Sequence, residues 1–272
     1  MIPFINIPPL SLGPLAIQPF GVLVAAAVAL AVWMARRLSG QMGLDRAVLD
    51  RLMTWVLVGG LVGAHLVAVL LYFPQSIRRD PLILLRFWEH LSSFGGMIGG
   101  LTAMAVFMRY VSRDLSRGDA LKYLHLIAFV FPFSLAIGRA GCAVVHDHPG
   151  SLSDFPLAVS LESEAGQAYA VSTFSKAELA SVPIPEQAFH DLGLYELIFL
   201  ALIVCPVFVI LRQRFGADFP FALAFVALYM PVRFGLDFLR VADVTYLGLT
   251  PGQWLAGSAL LLLPLAARRL SP

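Results

Sequence analysis

Two arginines stand inside runs of sequence that are otherwise apolar: Arg139 in the stretch 121–145 and Arg233 in the stretch 219–239. Ionised side chains at membrane depth are costly, so they face a cavity, a partner or a polar ligand. Asp237 and Arg240 follow Arg233 at spacings of four and three, which predicts all three on one helix face. The chemistry open to such a set is anion binding, because a guanidinium fork matches phosphate oxygens in a bidentate way. An internal ion pair between Arg233 and Asp237 that ties helices together is the competing reading.

Just past Arg139, the segment "AIGRAGCAVVHDHPG" (136–150) adds Cys142, His146, Asp147 and His148. His146 and His148 have the spacing of a metal-binding pair, but no third and fourth ligand is evident, so no metal or other cofactor is expected. In "SSFGGMIGG" (92–100), Gly95, Gly96, Gly99 and Gly100 admit two readings. They permit close helix packing, or they let the backbone turn beside a ligand where it lines a cavity. His65 and His125, single histidines on apolar helices, read as hydrogen-bonded packing residues, and Cys142 as a small apolar filler.

The elements that must position these residues follow from composition. Of 272 residues, 59% are hydrophobic and only 13% charged, where a soluble domain carries about a quarter charged. Apolar runs at 20–36, 52–73, 96–110, 121–145, 192–211, 219–239 and 249–267 are each taken as a bilayer crossing, which needs roughly 20 residues. The fold expected is all-α and polytopic, a single membrane domain over 1–272 with about seven transmembrane helices. No basic region precedes the first run, so it is read as a span and not a cleaved signal. Cys142 and Cys205 sit in separate apolar segments, which argues against a disulfide. A net charge of +2 gives no footing for nucleic acid.

Basic residues cluster on alternate loops: Arg36, Arg37, Arg46 and Arg51, then Arg109, Arg113, Arg117 and Lys122, then Arg212 and Arg214, and finally Arg268 and Arg269. The positive-inside rule then sets the N-terminus outside and the C-terminus in the cytoplasm. The long polar segment 146–190, between the fourth and fifth spans, becomes a small extracytoplasmic cap. Within it, "LAVSLESEAGQAYAVSTF" alternates apolar and small polar residues and predicts a β-hairpin.

The order of motifs resembles the prolipoprotein diacylglyceryl transferase family. Its signature G-R-x-G-N-F-x-N-x-E corresponds to the run from Gly138 through Arg139, Gly141, Cys142 and Val145 to Asp147, with Gly150 after it. "SDFPLAV" is similar to T-D-x-P-W-x-V, "HDLGLYE" to H-P-x-Q-L-Y-E, and "VRFGLDFLR" to V-R-x-x-x-E-F-x-R. "SSFGGMIGG" resembles S-F-H-G-G-x-x-G, "GAHL" resembles G-A-R-L, and "LTPGQWLAG" resembles the closing M-G-Q-x-L-S. The chain departs from the pattern at Phe20 for tyrosine, His65 for arginine, Phe94 for histidine, Cys142 and Val145 for asparagine, and Asp147 and Asp237 for glutamate.

The resemblance implies a reaction and its partners. The thiol of a lipobox cysteine in a prolipoprotein signal peptide attacks the glyceryl carbon of phosphatidylglycerol and expels glycerol phosphate. Arg139 and Arg233 would grip the phosphate, helped by Arg240 and by the backbone at Gly95 and Gly96. Asp237 would orient Arg233. With Phe94 unable to accept a proton, the base is expected at His146 or Asp147, one to two helical turns past Arg139. His146 falls on the arginine's helix face and His148 one position off it. A divergent member acting on another phospholipid or acceptor, or a non-catalytic phospholipid-binding protein, stays open.

Overall fold

The computed structural model describes residues 1–270 apart from 14, 88, 181 and 242. Six helices among these are long and apolar enough to cross a membrane. They are α1 (Pro19–Gln41), α2 (Arg46–Tyr72), α3 (Ser93–Val111), α4 (Arg117–Val145), and, after a short helix α5 (Glu164–Thr173), α6 (Leu192–Phe215) and Phe221–Leu239. The last of these is α-helical over Phe221–Leu236, here α7, and closes in a 3-10 turn, Asp237–Leu239. A 20-residue helix, α8 (Pro251–Leu270), lies where the seventh span is expected and falls outside the six. The protein is an all-α polytopic membrane protein with, among the described residues, a small four-stranded sheet and a two-stranded hairpin.

Two compact units divide the chain. The first comprises Met1–Ala31, Phe131–Val209 and Gly235–Ala242. It holds a four-stranded sheet of β1 (Ile2–Pro3), β4 (Pro149–Leu152), β5 (Val159–Ser160) and β6 (Ala188–Asp191), in the order β1-β5-β6-β4. Its N-terminal segment also carries a separate hairpin of β2 (Leu10–Leu12) and β3 (Leu15–Ile17). β1 runs parallel to β5, while β6 is antiparallel to both β5 and β4. Val159, Leu161, Ala170, Phe174 and Phe189 form the buried core of this region.

The hairpin expected across the segment 157–174 is corrected: only Val159–Ser160 is strand, and α5 follows. The reason is local. The Ser163 side chain accepts from the Gly166 backbone N–H at 3.1 Å, capping a run of good helix formers with Glu164 in its first turn.

The second unit comprises Val32–Val130, Ile210–Phe234 and Asp243–Pro272. Its core contact is α2 against α3, set by glycine. A Cβ on Gly63 would lie 2.5 Å from the Gly95 carbonyl oxygen and 2.6 Å from Gly99 Cα, and one on Gly99 would lie 2.2 Å from the Gly59 oxygen. The backbones touch, so no side chain fits there. Buried His65 stitches the loop before α3 to α2, with Nδ1 2.7 Å from the Glu89 carbonyl and Nε2 2.8 Å from that of Ile83.

Candidate active site

The end of α4 builds the site. Val145 is its last helical residue, and His146 takes φ +51, the left-handed conformation that stops a helix. The Asp147 N–H returns to the Cys142 carbonyl at 3.4 Å, closing the cap. The chain then turns through His148 into β4.

The start of α6 arrives from the other side. Asp191 caps it, with Oδ1 accepting from the Leu194 N–H at 3.0 Å. Gly193 lets the helix approach α4, since a Cβ there would lie 3.0 Å from that of Cys142. One turn further in, Glu196 Oε2 meets Arg139 Nε at 2.8 Å, with side-chain exposures of 0% and 2%. A guanidinium this deep is sustained by a paired carboxylate.

The other face of Arg139 looks toward the end of α4. Its Nη1 lies 3.3 Å from His148 Nε2 and 3.8 Å from Cys142 Sγ. A guanidinium only donates, so His148 Nε2 is the acceptor and the ring proton sits on Nδ1, which donates to Asp147 Oδ1. Burial opposes charge on Asp147, but the bond from His148 and the Arg139 charge outweigh it and hold the carboxyl below its usual range. Burial holds the His148 ring below the usual histidine value, assisted by Arg139 and Arg240 and opposed by Asp147. Cys142 Sγ, an Asp147 oxygen and a His148 nitrogen all lie within 4.8 Å of one another.

His146 is directed elsewhere, contrary to the helical extrapolation from Arg139. Its Nδ1 is 2.5 Å from Asp191 Oδ2 and its Nε2 3.1 Å from the Ile5 carbonyl, and its ring stacks on Phe4. Both ring nitrogens face acceptors, so neither offers a lone pair to a substrate. The helix ends one residue too early for the predicted spacing to hold.

In the second unit Arg233 is buried, its guanidinium carbon 5.2 Å from the centroid of the Phe94 ring. Desolvated, such a cation–π contact contributes about 2 kcal/mol. The shared helix face expected for Arg233, Asp237 and Arg240 is corrected at Arg240, because the helix closes in a 3-10 turn that ends at Leu239. Asp237 is buried in the following 3-10 turn, and Arg240 lies beyond it with extended backbone, bridged to Gly150. Gly95 is occupied by its contacts with Gly63, Ala64 and Val67. The helix runs unbroken through Gly95, Gly96, Gly99 and Gly100, so the backbone does not turn there.

The prolipoprotein diacylglyceryl transferase family model matches residues 9–266. The chain belongs to this family. Proteins named phosphatidylglycerol–prolipoprotein diacylglyceryl transferase are similar over nearly all of it. The one from Allorhizobium ampelinum is 26% identical over 98% of this chain and 89% of its own length. The one from Azotobacter vinelandii is 27% identical over 97% and 92%. That of Janthinobacterium sp. reaches 32%, over a stretch spanning 54% of this chain and 56% of that protein. The family membership and the apolar helices make this a bacterial membrane protein.

Within this family member, sequence reasoning singled out Arg139 but gave no role to its partner. The signal was present in "HDLGLYE", whose final residue is Glu196. His148 and Cys142 were set aside, His148 for lying off the predicted face and Cys142 as filler. The structure brings both to Arg139.

Proposed function

We propose that this transferase moves the diacylglyceryl group of phosphatidylglycerol to the thiol of a lipobox cysteine, the first step of lipoprotein maturation. The reading is carried by one observation: Arg139 is sequestered, oriented by Glu196 through Nε, and leaves its Nη1 edge toward Cys142 and His148. Held this way, a guanidinium is preorganised for an oxyanion. Arg139 and Arg233 are the proposed phosphate-binding arginines, with Asp237 and Arg240 in supporting roles.

The reaction joins the acceptor sulfur to the glyceryl carbon and breaks that carbon's bond to phosphate oxygen, whose electron pair leaves on glycerol phosphate. A free thiol has a pKa of about 8.5, so forming the thiolate needs help. Asp147 is the group proposed to draw off the proton, in place of the expected His146, with His148, whose two ring nitrogens are engaged by Asp147 and Arg139, positioning it. The spans lie in the cytoplasmic membrane with the N-terminus outside, which sets residues 146–190 on the extracytoplasmic side where lipobox cysteines emerge. Complementation of a strain depleted of its own transferase tests the reading. Growth with mature lipoprotein supports it, whereas phosphatidylglycerol binding without growth points to a non-catalytic lipid-binding protein.

A further inference from the structure

We propose that the connection between α2 and α3 is a membrane-docking element that gathers anionic phospholipid. Its working parts are the exposed Arg78 and Arg79 and the exposed Leu82 and Leu85. The chain here forms a six-residue helix, Pro74–Arg79, and a five-residue 3-10 turn, Pro81–Leu85, both too short to cross a bilayer. Residues three apart eclipse in a 3-10 turn. Leu82 and Leu85 therefore make one apolar edge, each 65% exposed, while Ile83 between them is buried.

That edge is held at the bilayer–water boundary. Tyr246 and Trp254, exposed rings with a polar atom each, belong at such a boundary. The Tyr246 hydroxyl donates to the Leu71 carbonyl at 2.6 Å, and Trp254 Nε1–H donates to the Tyr246 carbonyl at 2.8 Å, which brings the end of α2 to the same level. The connection also has a fixed shape. The Phe73 and His90 rings stack at 4.1 Å across its base, and Asp80 Oδ1 caps the turn by accepting from the Leu82 N–H at 3.0 Å. Arg86 is paired with both Asp80 and Glu89. An apolar edge preorganised in this way costs little ordering on insertion.

Charge identifies the partner. Arg86 occupies the carboxylates of Asp80 and Glu89, and no carboxylate among the described residues pairs with Arg78 or Arg79. The basic loops place this connection outside the cytoplasm, so these two arginines work against the orientation that the other loops set. An anionic leaflet compensates them, with its phosphodiesters at the level of the guanidinium groups and its acyl chains around Leu82 and Leu85. Resting on the transferase reading, the lipid gathered is the phosphatidylglycerol that the enzyme consumes. The attraction depends on charge and not on the fork, so lysine serves here as well as arginine, unlike at Arg139.

The test uses the full-length protein in nanodiscs of mixed phosphatidylglycerol and phosphatidylcholine, with an environment-sensitive fluorophore carried on Leu82→Cys or, as a second position, Leu85→Cys. The unmutated protein, treated alike, corrects for label on Cys142 or Cys205. Doxyl groups near the headgroup end of the acyl chains should quench the fluorophore, and doxyl-phosphatidylglycerol should do so more strongly than doxyl-phosphatidylcholine. Arg78→Gln with Arg79→Gln should abolish that preference, and Arg78→Lys with Arg79→Lys should keep it. In transfer assays the glutamine pair should raise KM for phosphatidylglycerol about fivefold for each arginine removed, and the difference should shrink in high salt. A label that no doxyl lipid quenches overturns the docking, and equal quenching by the two lipids overturns the gathering of anionic lipid. Preferential quenching in a protein without transfer activity overturns the transferase reading and leaves the docking element standing.

Discussion

Arg139 and Glu196 pair at 2.8 Å with both side chains removed from solvent, one from the end of α4 and one from the first turns of α6. Breaking a buried pair by neutralising one partner costs about 3–5 kcal/mol, because the other charge is stranded. Glu196→Gln should therefore lower the melting temperature markedly and reduce transfer, while Glu196→Asp keeps the charge and part of both. Thermal unfolding in detergent beside a transfer assay reads the two effects. A Gln variant with normal stability would mean that Arg139 draws its support from another group.

Arg139→Lys should be nearly as damaging as Arg139→Ala. Lysine supplies a point charge without the fork, and it cannot hold Glu196 through one nitrogen while turning another toward His148. Modification of a lipobox peptide by each variant in phosphatidylglycerol vesicles makes the comparison. Full activity in the lysine form would reduce Arg139 to an ion-pair element.

His146 and His148 should separate cleanly. His146→Gln loses the bond to Asp191 and the stacking on Phe4, so it should melt earlier while transfer per folded molecule falls no more than about twofold. His148→Gln should fold normally and lose up to the order of 10²–10⁴ in turnover, the usual scale for a proton-transfer group, because it frees Asp147 from the position the ring holds it in. Equal, mild losses in both would reassign the whole segment 146–148 to capping.

Phe94→Leu removes the ring beneath Arg233. A loss of about 2 kcal/mol corresponds to roughly a 30-fold weaker hold on the cation and, through it, weaker phosphatidylglycerol binding. Phe94→Tyr keeps the ring face and should restore affinity. If lipid affinity is unchanged in Phe94→Leu, the ring serves packing alone.

Gly99→Ala puts a Cβ 2.2 Å from the Gly59 oxygen and should destabilise the α2–α3 pair by about 1–3 kcal/mol or more. Gly96→Ala meets nothing nearer than 3.7 Å and should be tolerated in stability. A Gly96→Ala protein that melts normally yet loses phosphatidylglycerol affinity would return Gly96 to the lipid site.

The spans were legible because the bilayer imposes one crude rule, length of apolar run, and Arg139 and Arg233 stood out by breaking it. What failed was finer than that rule. A helical wheel carried forward from Arg139 put His146 beside it, but α4 stops at Val145, and after a left-handed residue angular position along the helix no longer applies. The same extrapolation carried Arg240 onto the face of Arg233, past the point where the helix closes at Leu239. Alternation in the segment 157–174 suggested strands, and a single serine cap outweighed it at Ser163. Glu196 could not be assigned to Arg139 from spacing, because 57 positions separate them and only tertiary folding brings them together.

The parallel pairing of β1 with β5 makes the order of synthesis matter. Ile2 lies against Val159, and the Ile5 carbonyl against His146, so residues 2–5 lack these partners until roughly 150 more residues have been added. At about 5–20 residues per second that interval is on the order of 10–30 s, during which α1 to α4 have emerged and residues 2–5 still await Val159 and His146. Docking of that segment is therefore a late event, and a probe attached near Ile2 would report when the region beside Arg139 is finished rather than when the first helix enters the bilayer.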